Sequence, residues 1–154
     1  MNLKKKILLV VATGMLAIQF MQPTRNKSMQ VFPTDLTKVI DVPANILPVF
    51  QTACYDCHSN NTVYTWYSHF QPMAWIMERH INKGKEKLNF SDFGSNSRRK
   101  QISKLKEMLN QIKDDEMPIT SYKLMHKSAR LSQDEKTMLV NWLQSTADSL
   151  SATD

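Results

Sequence analysis

The chain begins with one apolar run, and beyond it apolar residues recur at three- and four-residue spacing. Lys4, Lys5 and Lys6 precede a predominantly apolar stretch of about fifteen residues over 7–21. A basic start followed by such a run is the pattern of an export segment. It lies at the short end of what crosses a bilayer. The run closes on Ile18-Gln19-Phe20-Met21, which lacks the small residues a signal peptidase prefers. An uncleaved anchor is therefore expected, with its lysines in the cytoplasm and residues from about 24 onward outside. Export with cleavage is the alternative.

Residues 23–42 carry Pro23 and Pro33 among polar residues and read as an extended linker. Pro43 suits the first turn of a helix reaching about Cys57, with Ile46, Leu47, Phe50 and Ala53 along one side. Residues 59–70 read as an aromatic-rich loop in which Asn60 and Asn61 shape the turn. Pro72 opens a helix to about Asn82 with Met73, Ile76, Met77 and His80 on related faces, and Gly84 reads as its stop. Residues 88–94 form a turn region. A third helix is expected over about 96–113, striped by Ile102, Leu105, Leu109 and Ile112. Pro118 ends it, and 117–130 is irregular or a short helix. Ser132 with Glu135 is a capping box. It starts a last helix that turns Met138, Leu139, Trp142 and Leu143 inward. No strand pattern or internal repeat competes. The expected architecture is all-α, a bundle of about four helices over 43–148, with an N-terminal hydrophobic helix in 1–22, the linker at 23–42 and a tail at 149–154.

Composition agrees with that pattern. A chain of 154 residues with 42% hydrophobic content can build one core, and only three glycines argue for helices over a sandwich or barrel. Of the net charge of +6, three units sit in Lys4–Lys6, leaving +3 for the rest. That balance gives no argument for nucleic acid. Nine Lys or Arg fall between 79 and 106 against Glu86 and Asp92. This is a solvated helix face, or a docking face for an acidic redox partner or anionic head groups.

The candidate chemistry lies in 54-CYDCH-58, which holds both cysteines of the chain. A thioredoxin-type dithiol needs a strand before it, and the pattern here is helical. A disulfide would close a very short loop, gain little, and leave His58 unexplained. Structural zinc needs four ligands, and His69, His80 and His126 are not paired at zinc spacing. Covalent haem accounts for each position. On a helix, Cys54, Cys57 and His58 share a face, so two thiols reach the ring edge while the histidine reaches iron. Cys-x-x-Cys-His is the c-type haem pattern. One haem c per chain is expected, with Cys54 and Cys57 as attachment points and His58 as proximal ligand.

A sixth ligand is expected from Met117, in the loop 115-DEMP-118 beside a proline. Met73, His69 and His80 are the other candidates, and an open site is the remaining one. Trp66, Tyr67, Phe70, Trp75 and Tyr122 are expected to wall the haem or to fill core. His126 is expected to hold the 117–130 loop.

The runs 54-CYDCHSNNTVYTWYSHFQPMAW-75, 88-LNFSDF-93 and 116-EMPITSYKLMHKSARLS-132 resemble the small c-type haem-binding domain proteins. The resemblance spans about 40–145. The Asn-Phe-Ser element and the spacing of Tyr122 to His126 carry it beyond the haem motif. Two departures are present: Ile119 and Lys127 stand where that family often has proline. The resemblance implies a monohaem cytochrome c-like domain outside the inner membrane, without naming a partner or reaction. An electron-transfer cytochrome facing the periplasm is expected. A haem-based gas or redox sensor, or a peroxide-handling enzyme with an open or displaceable distal ligand, is the alternative.

Overall fold

The computed structural model describes residues 2–152. It is all-α, with eight helices and no strand among the described residues. The helices are α1 (Leu3–Ile18), α2 (Leu36–Val39), α3 (Leu47–Ala53), α4 (Tyr55–His58), α5 (Met73–Lys87), α6 (Arg98–Lys113), α7 (Thr120–Met125) and α8 (Gln133–Ala152). Three 3-10 turns complete the described elements, Trp66–His69 before α5, Phe90–Ser95 before α6 and Lys127–Ala129 before α8.

The core forms where the apolar stripes of α6 and α8 meet. Leu105, Met108, Leu109 and Ile112 of α6 are buried against Leu139, Leu143 and Ala147 of α8. Phe50 of α3 closes this layer, with Phe90 at 5.7 Å and Trp142 edge-on at 5.4 Å. Aromatic pairs at such spacing add to the burial of their area. The expected capping box is present: the Ser132 amide donates to the Glu135 carboxylate at 2.8 Å, and the Glu135 amide donates to Ser132 Oγ at 3.2 Å.

Several boundaries differ from those read in the sequence. The expected 43–57 helix is two helices, broken at Cys54, whose φ is −126°. The turn survives the break because the amides of Cys57 and His58 both donate to the Cys54 carbonyl, at 3.2 and 3.0 Å. Gly84 does not stop α5, which continues to Lys87. The segment 23–42 is laid along the domain. Its Asp35 accepts the Thr37 amide at 3.0 Å and so caps α2, and Leu36 and Ile40 enter the core. Of the tail expected at 149–154, residues 149–152 continue α8, and 153–154 lie outside the described residues, as does Met1 of the N-terminal segment.

No residue of α1 is buried, and Leu8, Leu9, Val10 and Leu16 are exposed. Among the described residues, no helix is long and apolar enough to cross a membrane.

Candidate functional site

The break at Cys54 sets the site. It turns α4 so that Cys54 and Cys57 open into two different cavities, with His58 and Met117 lining both. The first cavity, about 270 Å³, lies between Cys54, Leu88, Phe90, Met108 and Ile112. The second, about 480 Å³, lies between Cys57, His80, Gly84, Ile119 and Tyr122. The two are lobes of one slot, and together they reach the size range of a cofactor cleft.

His58 is held for ligation. Its Nδ1 lies 2.8 Å from the Leu88 carbonyl oxygen. A carbonyl only accepts, so Nδ1 carries the proton and Nε2 keeps its lone pair. This is how metal-ligating histidines are fixed in tautomer and orientation. Burial lowers the pKa of His58, with the Leu88 and Gly84 carbonyls opposing that shift, and the balance favours neutral imidazole. Phe90 supports the ring from below at 5.7 Å.

The thiols are poor nucleophiles. Burial, helped by the neighbouring Cys57, pushes Cys54 up to about 12. Burial and the adjacent Asp56 push Cys57 to about 11. Dithiol redox catalysts rely on a lowered thiol pKa, and both thiols here are shifted the other way. Among the described residues, no three His, Cys, Asp or Glu side chains gather into a metal-binding group. A four-ligand zinc site therefore lacks its donors. The set that remains is two thiols at a slot's edge, one neutral imidazole and one thioether. That set suits a haem linked at its rim and ligated on both faces.

Met117 is half-buried between the lobes. Its amide donates to the Gln111 carbonyl at 3.1 Å, its bond to Pro118 is cis, and Asp115 before it has a φ of 59°. Tyr122 lines the second lobe and donates from its hydroxyl to Asp56 Oδ2 at 2.7 Å. Burial and the Asp56 carboxylate both raise the Tyr122 pKa, so the phenol stays protonated. His126 shares a 2.7 Å hydrogen bond with the Tyr67 hydroxyl and meets the Tyr122 ring edge-on at 4.1 Å. These contacts connect the end of α7 to the 66–69 turn.

The other aromatic residues lie elsewhere. Trp66, Tyr67, Phe70 and Trp75 line neither lobe. Trp66 is 75% exposed. Trp75 Nε1 donates to the Met21 carbonyl at 3.1 Å, because the 66–75 corner packs on the chain just after α1. His69 is also drawn there, its Nδ1 3.0 Å from Arg25 Nη2. Met73 lines neither lobe, whereas His80 lines the second.

Sequence reasoning missed three contributors. Gly84 lets α5 approach the haem-motif helix: a Cβ there would stand 2.6 Å from the Cys57 carbonyl oxygen. Asp56 is buried at 8% exposure and accepts the Val63 amide at 2.9 Å as well as Tyr122. Leu88 supplies a carbonyl, which no sequence pattern marks. The Asn-Phe-Ser element now has a reason. Asn89 caps its own turn through the Ser91 amide at 3.1 Å, Phe90 lies under His58, and Ser91 Oγ accepts the Asn60 amide at 3.1 Å.

A model of the haem-binding domain family matches residues 13–145. No curated protein and no solved structure matches the chain.

Proposed function

This chain belongs to the haem-binding domain family, and from that premise we propose that it is a monohaem c-type cytochrome domain that transfers electrons on the periplasmic side of the inner membrane. Cys54 and Cys57 hold the haem as thioethers, His58 is the proximal ligand and Met117 the distal one. The observation that carries the reading is the division of the slot: one cysteine opens into each lobe, and His58 and Met117 line both. Bound haem supplies a ferrous/ferric couple. The residues do the rest. Leu88 keeps the imidazole lone pair free, Phe90 and Ile112 exclude water, and the Met117 loop closes the second face. A thioether ligand and burial both favour a high potential.

Lys83, Lys87 and Lys104 line the slot beside Glu86 and Glu107, and Lys104 pairs with Glu107 at 2.8 Å. The remaining positive excess supports docking of an acidic redox partner at the mouth of the slot. The exposed apolar α1 and the lysines in its first turn support export and membrane attachment of this segment. A second reading, a sensor or peroxide-handling domain, is favoured by one observation: α7, which follows Met117, buries none of its residues. A displaceable ligand would suit such a loop.

Attachment is tested by producing the full chain with a haem c maturation system and denaturing it in acidified acetone. Haem remaining on the chain, and lost from the Cys54→Ala/Cys57→Ala double variant, is the expected result. Complete extraction from the unaltered protein overturns the c-type reading.

A further inference from the structure

The two sides of the slot belong to segments 59 residues apart in sequence, His58 on α4 and Met117 ahead of α7. Buried Pro118 ahead of α7 and buried Ala129 after it anchor the segment at its ends, while α7 itself buries no residue. Between those anchors a part-buried polar clamp joins the two sides. Asp56 is the second of the two residues between the cysteines, and it is fixed from three directions. Its Oδ1 accepts the Val63 amide at 2.9 Å, its backbone carbonyl accepts Thr62 Oγ1 at 2.6 Å, and its Oδ2 accepts the Tyr122 hydroxyl at 2.7 Å. Tyr122 sits on α7, and its ring is held edge-on against His126, which Tyr67 pins at 2.7 Å.

We propose that the Asp56–Tyr122 hydrogen bond latches the Met117 loop over the distal side, so that breaking it shifts the domain from a sealed electron carrier toward one open to a small gaseous ligand. Asp56 and Tyr122 are positioning residues, and they act through Met117. The inference rests on Met117 being the distal ligand.

The latch has a chemical logic. An ionised carboxylate is an acceptor on both oxygens, and here both are used by donors from different segments. Burial makes the loss of either donor expensive. The residue inside the attachment motif therefore does on the distal face what Leu88 does on the proximal one. Breaking the latch frees the loop without touching Cys54, Cys57, His58 or Met117.

The test uses the holoprotein. Carbon monoxide binding to the ferrous form is measured for the unaltered chain and for Tyr122→Phe, Asp56→Asn, the double variant and Met117→Ala. A charge-assisted hydrogen bond of ordinary strength corresponds to roughly a ten- to hundred-fold shift in loop opening. Tyr122→Phe is expected to raise carbon monoxide affinity by about that factor and to weaken the methionine–iron charge-transfer band of the ferric form. Asp56→Asn keeps an acceptor for the Val63 amide and offers Tyr122 Oη only a neutral N–H donor, so it weakens the latch and opens the loop less than Tyr122→Phe. Its effect should shrink in the Tyr122→Phe background, because the freed amide no longer faces a hydroxyl. Loss of thermal stability in Tyr122→Phe, with affinity and band both unchanged, overturns the latch. Fully additive effects in the double variant also overturn it. If Met117→Ala itself changes neither signal, the ligand assignment falls and the latch with it. If Met117→Ala changes both while Tyr122→Phe changes neither, only the latch falls.

Discussion

The two faces of the slot are built by different physics. The face around His58, proximal in the proposed reading, is close-packed: Phe50 and Phe90 are buried completely or nearly so, His58 lies tilted against Phe90, and Gly84 brings α5 against the Cys57 backbone. The distal face is tied by side chains: Tyr122 to Asp56, His126 to Tyr67, and Lys136 to Asp115. Close packing resists change in volume and tolerates little motion. Polar ties can break one at a time. Perturbing the proximal face should therefore cost the fold, and perturbing the distal face should cost ligation while the fold survives.

The largest effect belongs to Phe90→Ala. It removes the ring that Phe50, Tyr55 and His58 all contact, and about 3–5 kcal/mol of stability should be lost in denaturant titration. Gly84→Ala comes next. Alanine is the better helix former, yet its Cβ would collide with the Cys57 carbonyl. A net loss of about 1–3 kcal/mol and poorer haem loading are expected. A stabilised Gly84→Ala would show that the proximal face is not close-packed. On the distal side, Tyr67→Phe should cost only about 1 kcal/mol in the same titration, with haem content unchanged. A loss as large as that of Phe90→Ala would erase the contrast between the faces.

The last effect is graded with pH and concerns the haem-free chain. The folded pKa of His58 is depressed below 6.5. The unfolded chain then binds more protons below that value, so stability should fall as pH drops through the folded pKa. The Cys54 and Cys57 thiols are raised above 9.0 to about 12 and about 11. The unfolded chain releases those protons first, so stability should also fall as pH rises above about 9. Melting temperatures between pH 5 and pH 10 would show a plateau bounded on both sides. His58→Phe should flatten the acid limb.

The packed face was the legible one. Period and capping gave α5, α6 and α8, since those helices are long and one-sided. The Cys-x-x-Cys-His spacing singled out Cys54, Cys57 and His58, which line the two lobes of the slot. The strap over 23–42 was hidden behind its prolines, though Asp35 followed by Leu36 and Ile40 is a short capped helix with two core anchors. Trp75 faces the chain after α1 and Trp66 is largely exposed, placements that no local pattern reveals. The distal ties were invisible for a related reason. Asp56, Val63 and Tyr122 meet only once the chain has folded back, and hydrogen bonds over that separation leave no periodicity.

The central claim is that His58 and Met117 close opposite faces of one covalent haem. The most direct measurement is the ferric and ferrous visible spectrum of the holoprotein beside that of Met117→Ala. The account predicts a low-spin ferric spectrum with a methionine–iron charge-transfer band, and its disappearance in Met117→Ala with haem still attached. A ferric spectrum unchanged by Met117→Ala would contradict it.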